Sequence, residues 1–161
     1  MRRAFADFIT EKVKQDSKVH VLTIDFAKEQ FKKLIYESPG NYWNFGVTEQ
    51  ATIAIAAGMA QEGLKPYVIG ITPFALERPW EFIKLDIVEQ NTDVKILGYW
   101  DYPHDGPTHE TKDVKGLCEK LGIRVFSPKN SAETKQLLEE TYKDKLPAFF
   151  NLKKDPNYQN L

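Results

Sequence analysis

Short apolar runs alternate with amphipathic segments along the chain, and this alternation restricts the possible fold more than any other feature of the sequence. Strand-length runs rich in β-branched and aromatic residues cover residues 19–24, 66–71, 94–99, 123–126 and 148–152. Between them, helices are expected at about residues 2–15, 27–36, 74–89, 113–121 and 131–142, with apolar residues on one face of the first and a polar composition in the second. Strands that alternate with helices form parallel sheets covered on both faces. With a short strand at residues 42–45, the pattern predicts an α/β fold, a three-layer α/β/α sandwich whose mostly parallel sheet has about six strands.

Composition limits the classes of function. A chain of 161 residues is long enough for one domain, expected at residues 1–152 and followed by a polar tail at residues 153–161. A net charge of −1 argues against a nucleic-acid surface, which needs a basic excess. No uncharged stretch reaches the roughly 18 residues that a membrane span requires, and the single cysteine fits a reducing compartment. We therefore expect a cytoplasmic protein that binds neither nucleic acid nor membrane.

A helix start near Glu49 carries the first candidate functional group. Gly46 is followed by Thr48 as an expected N-cap and by Glu49 in the first helical turn. The next residues, 51–60, are small or apolar, which predicts a helix buried on most sides. An acid at this position can simply be a favourable partner of the helix dipole, worth about 0.3–1 kcal/mol. A functional role for this acid is the alternative.

The second candidate region is a long loop at about residues 100–112. Pro103, Gly106 and Pro107 give it strong turn signals, and it holds two histidines, His104 and His109. Loops of this length in compact domains are usually functional. For His104 we expect plain solvent exposure.

These segments resemble the pyrimidine-binding domain of the transketolase and 1-deoxyxylulose-5-phosphate synthase family, whose members are thiamine diphosphate enzymes. The resemblance covers nearly the whole chain, from about residue 4 to residue 151, and rests on several strings in the same order. The strings are Leu22-Thr23-Ile24-Asp25, Asn44-Phe45-Gly46-Val47-Thr48-Glu49-Gln50, Ala56-Ala57-Gly58-Met59-Ala60 with Gly63 and Pro66, Thr72-Pro73-Phe74 with Arg78, and Asp105-Gly106-Pro107-Thr108-His109 with Asp113.

The resemblance implies catalytic roles for three residues. Glu49 matches the family's glutamate, whose carboxyl group is hydrogen-bonded to a ring nitrogen of the cofactor's aminopyrimidine and promotes its catalytic proton transfer. Asp105 and His109 match the loop in which an acid and a histidine face the substrate's hydroxyl groups and the reacting centre.

Three further residues are expected to bind the cofactor. Phe74 matches an aromatic residue placed against the pyrimidine ring, although an ordinary core position is an equal alternative. Asp25 resembles an acid near the cofactor at the subunit junction, and a simple turn aspartate is the alternative. Arg78, like Asp113, can instead be an ion-pair partner in the surroundings of the site. Leu76 and Glu77 stand where the family often has aromatic residues, so the detailed pocket differs.

The family holds the diphosphate and its Mg²⁺ with another domain, marked by Gly-Asp-Gly and a distant asparagine, and this sequence has no such motif. The resemblance thus implies that thiamine diphosphate is shared with a separate diphosphate-binding subunit, which also holds Mg²⁺, so we expect no metal ligands here. The expected assembly is a homodimer of this chain within a 2+2 heterotetramer. A fragment of a longer protein is the alternative, although Met1 directly before the first helix and the polar end favour a natural small subunit.

The implied reaction is transfer of a two-carbon ketol unit between sugars or sugar phosphates. The Asp105 to His109 string favours this sugar-handling branch of thiamine diphosphate chemistry. Two rivals remain at this point: a pyrimidine-type subunit of a 2-oxo acid decarboxylase, and a non-catalytic scaffold of the same fold.

Overall fold

A parallel six-stranded sheet forms the centre of the protein. The computed structural model describes residues 1–100 and 105–154, and in sheet order the strands are β2-β1-β3-β4-β6-β5. The strands are β1 (Val19–Thr23), β2 (Tyr42–Asn44), β3 (Lys65–Ile71), β4 (Lys95–Tyr99), β5 (Arg124–Phe126) and β6 (Ala148–Leu152). Every neighbouring pair runs parallel. The α/β expectation is therefore confirmed, with a sheet that is wholly parallel in the described residues.

Helices cover both faces of the sheet. They are α1 (Arg2–Gln15), α2 (Lys32–Glu37), α3 (Glu49–Gln61), α4 (Thr72–Leu76), α5 (Trp80–Phe82), α6 (Val114–Leu121) and α7 (Ser131–Asp144). Helices α1, α2 and α7 contribute to one hydrophobic core, and α3, α4 and α6 contribute to the other. None of the helices in residues 1–100 and 105–154 has both the length and the apolar character needed to cross a membrane.

The central strands feed both cores because their side chains alternate between the two faces. In β3, Tyr67 and Ile69 lie in the core beneath α1, whereas Val68 between them lies in the core beneath α3. All three side chains are almost fully buried. Burying an aliphatic side chain of this size stabilises a fold by about 1.5–3 kcal/mol. This explains why the central strands read as continuous apolar runs in the sequence.

The sheet order gathers the expected site residues at one edge. Strands β2, β1, β3 and β4 are neighbours, and all run in the same direction. The segments that follow them carry, in this order, Glu49, Asp25, Phe74 with Arg78, and His109. Ligands of open parallel sheets bind at this carboxyl edge.

The prediction of a single helix at residues 74–89 is wrong. Helix α4 already ends at Leu76, Pro79 precedes the short α5, and a π-helical turn follows at Ile83–Val88. Proline has no backbone N–H and its ring clashes with the preceding turn, so it interrupts a helix. As a result, Arg78 lies between two helical segments rather than within one.

The expectation that α3 is buried on most sides is also wrong for this chain by itself. Thr52, Ile53, Ala56 and Ala57 face the core, whereas the opposite face is exposed and includes Ala51, Ile55 and Gly58. Its low polarity therefore does not reflect burial within this chain. His104 and most of the polar tail, residues 155–161, lie outside the described residues.

Candidate active site

A tight turn places Glu49 at the start of α3. Gly46 has a φ of 69°, a left-handed conformation that glycine adopts readily, and its N–H donates to Asn44 Oδ1 at 2.9 Å. Thr48 occupies the N-cap position as expected, but its hydroxyl makes no capping bond. Instead Thr48 Oγ1 donates to the carbonyl oxygen of Phe45 at 2.9 Å. This turn directs Glu49 back toward the sheet.

Glu49 is buried and paired with Arg78. Its side chain is only 6% exposed, and Arg78 Nη1 donates to Glu49 Oε1 at 2.5 Å. The arginine side chain is 42% exposed, so the pair joins a buried anion to a cation at the surface. A buried carboxylate without such a partner is costly, because charge loses its hydration on burial. The ion pair therefore gives the Glu49 carboxylate a hydrogen-bond partner where burial limits its hydration.

Phe74 continues this chain of contacts to the histidine loop. The Arg78 guanidinium carbon lies 3.8 Å from the centre of the Phe74 ring, a cation–π geometry. Phe74 also contacts the His109 ring edge to face, with the two ring centres 4.9 Å apart. Both rings are partly exposed. Phe74 is therefore not an ordinary core residue, and the structure brings Glu49, Arg78, Phe74 and His109 together.

The histidine is held by a short helical turn. Gly106 has a φ of 99° and precedes the 3₁₀ turn Pro107–His109, in which the backbone N–H of His109 donates to Gly106 O at 3.0 Å. Thr108 Oγ1 lies 3.0 Å from His109 Nδ1, within hydrogen-bond distance. The sequence offered no role for Thr108. This contact restricts the orientation of the imidazole.

The other expected residues follow β1 or belong to the segment between β4 and α6. Asp105 is exposed at the beginning of the same loop segment. Asp25 follows β1 with a φ of 47°, a conformation that aspartate tolerates better than most residues, and its carboxylate is exposed. Within residues 1–100 and 105–154, no hydrogen bond or ion pair involves the Asp25 side chain. Asp113 caps α6, because its Oδ1 accepts a hydrogen bond from the backbone N–H of Gly116 at 2.8 Å.

The sequence did not indicate which residues hold α4 against the sheet. Thr72 Oγ1 donates to Asn151 Oδ1 at 3.2 Å, and Thr72 is fully buried. A Cβ on Gly98 would lie 2.7 Å from Thr72 Oγ1 and 2.6 Å from Phe149 Cζ. Only glycine therefore allows α4 to lie this close to β4. This close packing fixes the position of Phe74.

The cluster fits the pyrimidine end of a cofactor. A buried carboxylate can accept an N–H or hold a proton at a ring nitrogen, and an adjacent aromatic face can stack on a flat ring. Across the described ranges, no group of three His, Cys, Asp or Glu side chains could hold a metal ion. A carboxylate beside an aromatic face is chemically suited to bind an aminopyrimidine ring.

Known proteins share this fold and sequence pattern. The family described as transketolase, pyrimidine binding domain, matches residues 1–158. One of the subunits of the apulose-4-phosphate transketolase of Phocaeicola vulgatus is 29% identical over 142 residues, which are 85% of this chain and 46% of that protein. 1-Deoxy-D-xylulose-5-phosphate synthase of Prochlorococcus marinus is 31% identical over 145 residues, 84% of this chain and 22% of that protein.

A solved structure described as a split gene transketolase in an inactive beta4 tetramer has the same fold. It superposes with a TM-score of 0.86 at 23% identity, covering 99% of this chain and 53% of its own. The chain thus spans about half or less of the length of these proteins. The family match extends over nearly every residue, and it includes the Glu49 helix and the His109 loop. This chain belongs to the transketolase pyrimidine-binding domain family, whose enzymes depend on thiamine diphosphate.

Proposed function

We propose that this chain is the pyrimidine-binding subunit of a split transketolase-like transferase, which moves a two-carbon ketol unit between sugars or sugar phosphates. The observation that carries the proposal is the buried Glu49 carboxylate at the start of α3, which is connected through Arg78 to the Phe74 ring and the His109 loop. A buried acid of this kind can bind a ring nitrogen of a ligand. Thiamine diphosphate has such a ring.

Each residue of the site has a distinct task in this proposal. When bound, thiamine diphosphate supplies the electron sink that allows a carbon–carbon bond beside a carbonyl group to break. Glu49 holds a proton at the pyrimidine ring nitrogen, in a site that excludes water and so strengthens the hydrogen bond. Phe74 stacks on the ring, Asp25 lies beside the cofactor, and Arg78 lies at the edge of the site. His109 and Asp105 orient the hydroxyl groups of the substrate.

The proposed partner is a separate diphosphate-binding subunit, which holds the diphosphate and Mg²⁺. In support, the relative from Phocaeicola vulgatus is itself named as one subunit of a transketolase. We propose that two copies of this chain pair with two copies of the partner in a cytoplasmic 2+2 heterotetramer. The carboxyl edge of the sheet, which carries the site, would then be covered by the partner.

The test uses the complex reconstituted from this chain and its diphosphate-binding partner. Glu49→Gln keeps the size of the side chain but cannot exchange a proton at the ring nitrogen, so we expect turnover of a ketose donor and an aldehyde acceptor to fall at least about 100-fold. Glu62→Gln is the matched control, because Glu62 is an exposed acid at the other end of α3. It should leave turnover unchanged.

Two outcomes would contradict the proposal. Full activity of the Glu49→Gln complex would show that this acid does not act on the cofactor and would favour a scaffold. Turnover of 2-oxo acids with no transfer between sugars would instead assign the subunit to a decarboxylase. The same assay with this chain alone should give no transfer.

A further inference from the structure

Arg78 makes two contacts that the proposed function assigns to the cofactor. Its guanidinium donates to the buried carboxylate of Glu49, and its central carbon lies over the Phe74 ring, 3.8 Å from the ring centre. In the proposed function, the pyrimidine ring of thiamine diphosphate needs the same carboxylate group and the same aromatic residue. The Arg78 side chain therefore occupies both groups, Glu49 and Phe74, that would recognise the pyrimidine ring.

The chemistry of the two groups is closely similar. A guanidinium is planar, carries N–H donors in its plane and stacks on aromatic faces. A protonated aminopyrimidine is also planar and presents N–H donors beside a ring nitrogen. A site made from a carboxylate and an aromatic ring selects for such groups, and two planar groups cannot stack on the same face of one ring at the same time.

The structure also shows which of the two partners can move. Glu49 is fixed in the first turn of α3 and almost fully buried, whereas the Arg78 side chain is 42% exposed. Arg78 lies between the end of α4 at Leu76 and the start of α5 at Trp80. Its long side chain can turn toward solvent without unwinding either helix. Release of the site therefore requires only rotation of one side chain.

We propose that in the free subunit Arg78 is an internal competitor that occupies the place of the cofactor's pyrimidine ring and leaves it when the cofactor binds. This inference rests on the proposed function. Arg78 keeps the Glu49 carboxylate paired while the site has no ligand, which avoids an isolated buried charge. The cost is weaker cofactor binding, because a ligand sees only the fraction of molecules in which Arg78 has moved away.

The experiment measures binding of thiamine to the purified full chain by titration calorimetry. Thiamine carries the pyrimidine ring and lacks the diphosphate that the partner is proposed to hold. If Arg78 fills the site about nine-tenths of the time, its removal should tighten apparent binding about tenfold. We expect this tightening in Arg78→Ala, and in Arg78→Gln if the smaller variant is poorly folded.

Two control variants separate competition from other effects. Lys84→Ala removes an equal charge from an exposed residue of the neighbouring π-helical turn, so it corrects for the general attraction of cationic thiamine. It should bind as the wild type does. Glu49→Gln should abolish binding in both backgrounds, which ties the measured site to the proposed one.

A direct measurement on the wild type avoids dependence on any variant. The Arg78 side-chain resonances in NMR spectra should show the ring-current shift of Phe74 and lose it as thiamine is added. Equal or weaker thiamine binding by the Arg78 variants, or an Arg78 signal that does not respond to bound thiamine, would overturn the inference while leaving the Glu49 site intact. Binding that is indifferent to Glu49→Gln, or absent from every variant, would overturn the inference and remove support for the site itself.

Discussion

Two carboxylates show how differently this fold uses the same chemical group. Glu49 lies at the carboxyl edge of the sheet with a single arginine partner at the surface. Asp16 lies at the end of α1 and accepts hydrogen bonds from Lys65 Nζ at 2.7 Å, Tyr142 Oη at 2.7 Å and the backbone N–H of Lys18 at 3.0 Å. The first carboxylate can exchange its partner for a ligand. The second ties α1 to β3 and α7, and its role is structural.

The Asp16 network predicts a pH-dependent contribution to stability. The hydrogen bond from Lys65 is the main cause that lowers the pKa of Asp16 from 3.8 to about 2. Because the folded pKa lies below the unfolded one, the stabilisation is complete above about pH 4 and is lost as pH falls toward 2. Asp16→Asn should reduce the free energy of unfolding by about 2 kcal/mol at pH 7.

Urea unfolding of both proteins from pH 7 down to pH 2 checks this prediction. The difference between them should shrink between about pH 4 and pH 2. The control is Asp7→Asn, which removes an exposed ion pair with Arg3 and should change stability by less than about 1 kcal/mol. A constant difference across the whole range would show that the Asp16 effect is not electrostatic.

At the scale of elements, α4 is the one whose position matters most to the site. It is only the turn and a half from Thr72 to Leu76, so its own hydrogen bonds cannot fix it. Packing against β4 does so instead, through the close approach of Thr72 to Gly98 and the hydrogen bond of Thr72 to Asn151. Phe74 lies in the middle of this short helix. A disturbance of Gly98 is therefore expected to reach the site.

Gly98→Ala is the corresponding prediction. The added methyl group would lie 2.7 Å from Thr72 Oγ1 and 3.1 Å from Thr72 Cα, so the backbone of α4 must move. Overpacking of this kind costs about 1–3 kcal/mol of stability, measured by urea unfolding. We also expect weaker thiamine diphosphate binding in the reconstituted complex, because Phe74 moves with α4.

The matched control for this variant is Gly58→Ala. Gly58 lies within α3 and has open space where the methyl group would go. Alanine is a better helix residue than glycine by up to about 1 kcal/mol, so the stability of this variant should stay the same or rise. Equal stability of the two variants would refute the close packing at Gly98.

At the scale of the whole molecule, several large apolar side chains in the segments around Glu49 are exposed. Val47 is 65% exposed and Trp43 is 44% exposed, and Ile55 on the outer face of α3 is 39% exposed. Trp43 also stacks on Phe45, with parallel rings whose centres are 6.3 Å apart. Apolar groups in one exposed region mark contact surfaces more often than chance. This region adjoins Glu49, where the proposed partner subunit would complete the site.

Val47→Asp tests this surface. A charge two residues before Glu49 should weaken association with the diphosphate-binding subunit at least about tenfold, because the charge would lose its hydration in the interface. Sedimentation analysis of mixtures measures the effect. Leu146→Asp is the control, since Leu146 is also exposed. It precedes β6 and therefore lies at the amino edge of the sheet, opposite the carboxyl edge that carries the site. Equal losses for the two variants would show that the Val47 region is not the contact surface.

Local pattern was enough to determine the fold of this protein, and short sequence strings were enough to determine its family. Runs of β-branched residues between amphipathic segments specify parallel strands and covering helices, because each pattern buries its apolar groups in only one way. The strings around Glu49, Phe74 and His109 identified the family. Pro79 also indicates the interruption of the helix in the sequence, although the spacing of apolar residues alone predicted one continuous helix.

Only the tertiary structure decided which side chains meet. Arg78 and Glu49 are 29 residues apart, and they pair because β1 lies between β2 and β3 in the sheet and brings the two strand ends close. The close approach of Gly98 to Thr72 also arises from packing between segments that are distant in the chain. The exposed face of α3 likewise depends on which other segments pack against this helix. A sequence records the chemistry of each segment, whereas such contacts depend on the order of strands, which no single segment contains.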